Sequence, residues 1–255
     1  MISYREKLER RIAACRSHLC VGLDPRPELM PTDPKHFLLE VVEETSGVAA
    51  AYKPNAAYFE AMGVEGMILL EYILERIPSD IPVIFDGKRG DIGETQKYYA
   101  RACFEVLGAD AVTINPYMGR DCLEPMLEYK DRGIYLLSVT SNPGAKDLQF
   151  RQAEGRYLFE WVQDLIGDNE QVGLVLGLTQ ATDGVLSCVK DVPLLVPGMG
   201  AQGGDIKALA AQKRKAPILV NVSRGILFQQ MDLSFEEKAR SYAQEIEIAL
   251  AQKPA

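Results

Sequence analysis

Asp86, Lys88 and Asp91 place two carboxylates and an ammonium within six residues, directly after the apolar run Pro82-Val83-Ile84-Phe85. Such a run reads as a buried strand, and a charged cluster at its end is a candidate catalytic site. If the extended pattern persists to Lys88, Asp86 and Lys88 fall on the same side, because alternate residues of a strand share a face. A lysine packed between carboxylates stays charged, since opposite charges nearby favour the ionised form. At about 4 Å each pair is worth roughly 4 kcal/mol at an effective dielectric near 20. Lys88 is then a proton donor rather than a nucleophile. The plainer alternative is structural. Asp91 and Glu94 have the spacing of a helix capping box, with Asp91 opening the next helix, and Asp86 with Lys88 can be an ordinary ion pair at a strand end.

Other polar residues follow apolar runs in the same way. Asp24 precedes Pro25 and can hold a sugar hydroxyl or simply start a turn; Lys53 precedes Pro54, which directs the chain into a loop, and can be a solvated strand-end lysine. Thr140-Ser141-Asn142-Pro143-Gly144-Ala145 offers hydroxyl, amide and backbone groups to the edge of a polar ring, although a plain turn uses the same residues. Two glycine-bearing stretches, Pro197 to Asp205 and Val222-Ser223-Arg224-Gly225, let backbone N–H groups approach an anion closely. Arg224 adds a fork of donors suited to phosphate, and Gln202 an amide donor. The alternative for these glycines is a merely flexible turn.

These residues need a frame. Apolar runs recur at Leu19 to Leu23, Val48 to Tyr52, Pro82 to Phe85, Ala111 to Ile114, Ile134 to Val139, Val172 to Leu176, Leu194 to Val196 and Ile218 to Val222. Most are separated by amphipathic stretches of helical length, such as Tyr58 to Ile77 and Thr95 to Leu107. Continuous apolar strands alternating with helices imply a parallel sheet covered on both faces. Eight units predict an α/β fold of the (β/α)8 TIM-barrel type, in which chemistry gathers on loops at the C-terminal ends of strands. An open, doubly wound sheet obeys the same alternation. The polar residues nevertheless follow the first, second, third and fifth runs, and they converge only if the sheet closes. No linker or shift in composition divides the chain, so residues 1–255 are read as one domain. Between Thr140 and Gln171 we expect a long loop and then a helix. Ser3 with Glu6 and Ser234 with Glu237 predict capped first and last helices.

Composition narrows the function. The chain has 255 residues, 47% hydrophobic and 25% charged, with a net charge of −8. That balance fits a globular protein and argues against a broad nucleic-acid footprint, so an anionic substrate needs a local basic site. The five cysteines show no C-x-x-C spacing, and the two histidines, His18 and His36, lie outside the motifs. Neither a disulfide framework, a zinc site nor Ser-His-Asp chemistry is therefore indicated, and no metal site is expected. No apolar run approaches the roughly 18 residues of a membrane span, and the charged N-terminus lacks a secretory apolar segment. A cytoplasmic enzyme with no membrane partner is expected.

Taken together, Leu23-Asp24-Pro25, Lys53-Pro54-Asn55, Asp86-Gly87-Lys88-Arg89-Gly90-Asp91-Ile92, Ser141-Asn142-Pro143-Gly144, Pro197 through Asp205 and Ser223-Arg224-Gly225 resemble the orotidine 5'-phosphate decarboxylase family over nearly the whole chain. The family's commoner pattern has larger apolar residues at Gly87 and Gly90 and glycine at Ser223; the Lys-Arg-Gly-Asp form and the length are similar to its longer, second branch. The resemblance implies a cofactor-free decarboxylase of orotidine 5'-monophosphate in pyrimidine biosynthesis. It implies a Lys53-Asp86-Lys88-Asp91 network with Lys88 as proton donor, Asp24 on the ribose, Ser141 on the pyrimidine, and Gln202 with Arg224 on the phosphate. It also implies a homodimer in which Asp91, Ile92 and Thr95 reach into the partner's pocket. Three rivals remain: a metal-dependent sugar-phosphate decarboxylase or aldolase with the same Asp-x-Lys-x-x-Asp strand, a Schiff-base aldolase, and a non-catalytic nucleotide sensor. The Schiff-base route is opposed by carboxylates that keep the lysine protonated.

Overall fold

The computed structural model describes residues 2–181, 183–198, 206–212 and 214–251. Its main sheet has eight strands: β1 (Leu19–Leu23), β2 (Ala51–Pro54), β3 (Ile84–Arg89), β4 (Ala111–Ile114), β5 (Gly133–Val139), β6 (Val172–Leu176), β7 (Leu194–Pro197) and β8 (Ile218–Val222). Neighbours pair in parallel in the order β2-β1-β8-β7-β6-β5-β4-β3. The two ends of that row meet through single bridges, Tyr52 with Val83 and Asn55 with Asp86, and the Tyr52 amide donates to the Pro82 carbonyl at 2.9 Å. The result is a (β/α)8 TIM barrel, as the alternation predicts, and the seam rules out the open doubly wound sheet.

Burial follows from that closure. Ile84, Ala111, Tyr135, Val175, Leu195 and Leu219 fill the interior, while a second cluster, with Leu38, Val41, Leu70 and Phe159, packs helices onto the outside. Both faces are covered, so every residue of β1, β6 and β8 is buried. The helix Tyr4–Cys15 lies across the N-terminal end, its Tyr4 ring edge-on to Tyr135 with the two hydroxyls 2.9 Å apart. The Tyr4 ring occupies the space a Cβ on Gly133 would need. Ser3 accepts from the Glu6 amide at that helix's start, and Ser234 and Glu237 cap the helix Phe235–Ala251 reciprocally. No helix among the described residues is long and apolar enough to cross a membrane.

Several expectations are corrected. The stretch Tyr58 to Ile77 forms two helices, Ala56–Glu60 and Gly63–Leu74, with Gly63 at φ +67° at the break. The second strand starts at Ala51 and includes Lys53 and Pro54, both paired with β1. No capping box forms at Asp91: the helix Gly93–Arg101 has Ile92 at its N-cap and no side-chain capping bond. The third strand runs past Phe85 to Arg89, but irregularly. Phe85 pairs with Val112 and Arg89 with Ile114, so Asp86, Gly87 and Lys88 together face Thr113 alone.

Candidate active site

Strand β3 spends two extra residues at that bulge, and they re-aim side chains, as bulges near functional sites do. Lys88 adopts φ +46°, a left-handed conformation uncommon for a side chain of this size, and its amide is held by Thr113 Oγ1 at 2.9 Å. Simple alternation thus expects Asp86 and Lys88 to meet, while the backbone brings them together by a different route. The tight packing also bears on the glycines in this motif. A Cβ on Gly90 would lie 2.5 Å from the Asn115 carbonyl oxygen, and one on Gly87 2.7 Å from the Phe85 ring.

Asp86 is the hub. Its Oδ2 accepts from Lys53 Nζ at 2.8 Å; its Oδ1 accepts from Lys88 Nζ at 2.7 Å and from Thr113 Oγ1 at 2.8 Å. Lys53 and Asp86 are buried, whereas the Lys88 side chain is 48% exposed and lines the barrel mouth. Burial alone would push the Asp86 carboxyl up, but Lys53 and Lys88 outweigh it and hold the group well below the usual carboxylate range. Burial likewise opposes the Lys53 charge, and Asp86 with Asp24 outweighs it, so Lys53 titrates above an ordinary lysine. The arrangement is a buried, fixed anion holding one buried and one accessible ammonium.

Two adjoining hollows, of about 400 and 420 Å3, share Lys53, Asp86, Ser141 and Pro197. The first is polar, with Asp24, Asn55, Asn221, Ser223 and Arg224 in its wall. The second carries Lys88 and Thr113 beside Leu137, Val175 and Leu195. In the polar hollow Asp24 Oδ1, Asn221 Oδ1 and Ser223 Oγ are buried without a hydrogen-bond partner. Leaving such atoms unmet costs about 1–3 kcal/mol each, so this wall is suited to a ligand rich in hydroxyls. The Ser141 loop is braced from behind, with Gln149 donating to Thr140 Oγ1 at 2.7 Å and accepting from the Thr140 amide at 2.8 Å.

The cleft therefore gathers Asp24, Lys53, Asp86, Lys88, Ser141 and Arg224. Asp91 stands apart: its Oδ1 accepts from the Ile92 amide at 2.8 Å, and it forms no ion pair among the described residues. Ile92 and Thr95 are exposed. Gln202 lies outside the described residues. Sequence reasoning passed over Thr113, Asn221 and Arg26, all of which border the cleft. The signal for the first two was a lone polar residue within an apolar strand, Ala-Val-Thr-Ile and Ile-Leu-Val-Asn-Val.

Known proteins resemble this chain in sequence and fold. The model of the family "Orotidine 5'-phosphate decarboxylase / HUMPS family" matches residues 17–236. An orotidine 5'-phosphate decarboxylase of Janthinobacterium sp. (strain Marseille) is 42% identical over an alignment of 267 positions covering 98% of each chain. One of Thermomicrobium roseum is 42% identical over 265 positions, covering 96% of this chain and 94% of that one. The structure of Leishmania donovani OMP decarboxylase superposes with a TM-score of 0.85 at 35% identity, covering 98% of this chain and 100% of that chain. With a matching family model over most of its length and relatives aligned almost end to end, the chain belongs to the orotidine 5'-phosphate decarboxylase / HUMPS family.

Proposed function

We propose that the protein decarboxylates orotidine 5'-monophosphate to uridine 5'-monophosphate in the cytoplasm, without a cofactor. The observation that carries this reading is the single carboxylate of Asp86 shared by Lys53 and Lys88 at the floor of a two-part cleft. The base enters the hollow walled by Leu137, Val175 and Leu195, and the ribose and phosphate enter the polar one. The bond from ring carbon six to the carboxylate breaks, carbon dioxide leaves, and the electron pair stays on carbon six. The pyrimidine delocalises that charge poorly, so it must be stabilised where it forms. Lys88 lies opposite, stabilises the developing carbanion and delivers the proton that completes the product. Asp86 repels the substrate carboxylate until carbon dioxide departs, and Lys53 orients Asp86 and touches the ribose.

Asp24 holds a ribose hydroxyl, Ser141 the pyrimidine, and Arg224 with Gln202 the phosphate. Binding energy from the phosphate, remote from carbon six, is then available to orient the ring. Asp91, Ile92 and Thr95 act on the partner's site in a homodimer. Supporting this, Ile92, Tyr98, Tyr117 and Met118 leave apolar surface exposed on the segments following β3 and β4. For the metal-dependent rival, Asp86 would have to release donors that already occupy both its oxygens. The test is loss of orotate absorbance with and without exhaustive chelation, for wild type and Lys88→Ala. We expect chelation to have no effect. Lys88→Ala should fold and bind nucleotide while losing at least about 10²–10⁴-fold in kcat, the scale of general acid–base catalysis. Retained turnover would remove Lys88 from its role, and inhibition by chelator would favour the sugar-phosphate reading. Tight nucleotide binding by a wild-type protein without turnover would indicate a sensor.

A further inference from the structure

Arg26 lies two residues beyond Asp24, where the chain leaves β1, and borders the polar hollow together with Arg224. We infer that Arg26 is a second guanidinium for the nucleotide phosphate, an inference that rests on the function proposed above. Strand β1 is the neighbour of β8, so the loops carrying Arg26 and Arg224 adjoin. The Arg26 side chain is held in place. One terminal nitrogen donates to Tyr58 Oη at 2.9 Å, and the guanidinium lies 5.4 Å from the Tyr58 ring centre and 5.9 Å from that of Phe228. Phe228 is itself stacked on Phe37, with rings 5.9 Å apart and 7° from parallel. A guanidinium fixed between aromatic rings loses little freedom when it takes up an anion.

The group also lacks an acceptor of full charge. Its Nε is buried with no hydrogen-bond partner, and Arg26 forms no salt bridge to a carboxylate among the described residues. Guanidinium only donates, so its complement is a group that only accepts. The ribose hydroxyls are already matched by the free oxygens of Asp24, Asn221 and Ser223. The substrate's carboxylate belongs beside Lys88, in the other hollow. The phosphate dianion is what remains for Arg26, and two guanidiniums balance its charge.

The plainer role for Arg26 is a staple between loops, and ligand charge separates the two. Affinities for uridine 5'-monophosphate and, by competition, for uridine are measured by titration calorimetry for wild type, Arg26→Met, Arg26→Lys and Arg224→Ala. The methionine keeps an apolar stem against Tyr58 and Phe228. At pH 8 we expect Arg26→Met to weaken uridine 5'-monophosphate by about 10–100-fold and uridine by less than twofold, the former being the scale of a lost charge-assisted bond. Arg26→Lys should recover part of the loss. Wild-type affinity should rise between pH 5 and 7, through the phosphate's second ionisation near 6, and the rise should be smaller in Arg26→Met. If Arg26→Met destabilises the fold, Arg26→Lys carries the same comparison. Equal losses for both ligands, or none for either, would overturn the inference. A wild-type protein that binds no uridine 5'-monophosphate would overturn the proposed function as well. Loss in Arg224→Ala but not at Arg26 would overturn this inference alone.

Discussion

At Asp86 three donors meet one buried carboxylate, and removing that carboxylate deprives the buried Lys53 ammonium of its hydrogen-bonded counter-ion. Deleting one partner of a buried ion pair costs about 3–5 kcal/mol, so Asp86→Asn should lower the unfolding free energy by that order, measured in urea. Lys53 supplies most of this, being itself buried; the exposed Lys88 relaxes into solvent. The pH dependence has a definite sign. A carboxylate whose folded pKa is depressed contributes stability above its unfolded value near 4 and loses it as pH falls toward the folded one. A lysine whose folded pKa is raised contributes below about 10.4 and loses that contribution as pH rises through the folded value. The difference between wild type and Asp86→Asn should therefore shrink below about pH 4, and shrink again toward alkaline pH, where the buried Lys53 left unpaired in the variant sheds its proton on folding. A difference that grew as pH fell below about 4 would mean that Asp86 is not held as an anion by its lysines.

Among the elements, the close approach of β1 to the loop after β8 constrains the proposed anion site. A Cβ on Gly22 would sit 2.6 Å from Ser223 Cβ and 3.2 Å from its Cα. Gly22→Ala should cost about 1–3 kcal/mol through overpacking and, by displacing the Ser223-Arg224 turn, raise KM more than it lowers kcat. Thermal unfolding and steady-state kinetics check both halves; an unchanged KM would show that the turn yields freely. The same scale shows what the sequence could reveal. Runs of apolar residues gave β1, β4, β6 and β8 with the observed bounds, because those strands are buried on both faces. They placed the second strand too early, since Val48, Ala49 and Ala50 are buried without belonging to it. Hydrophobicity reports burial, not the hydrogen-bond ladder. The bulge of β3 was hidden for a related reason: period-two reasoning assumes regular extended backbone, and a left-handed lysine leaves no mark on the pattern.

For the molecule as a whole, the proposed dimer makes a quantitative claim. Lys88→Ala and Asp91→Ala chains, each inactive alone, should recover about a quarter of wild-type activity after equal mixing and free exchange, because half the dimers are hybrids with one intact site each. No recovery despite proven exchange would mean that each chain completes its own site. The lysines and Asp86 were legible as one cluster because they end neighbouring strands of a closed sheet, whereas Asp91 meets no lysine among the described residues. A single sequence shows a motif without showing which copy it serves. One consequence belongs to the far end of the barrel. With Tyr4 seated on Tyr135 and the interior packed above it, the cleft is a blind alley rather than a tunnel. On the proposed function, gas freed at its floor finds no rear exit among the described residues. It must slip out past the nucleotide through the doorway by which the substrate came in.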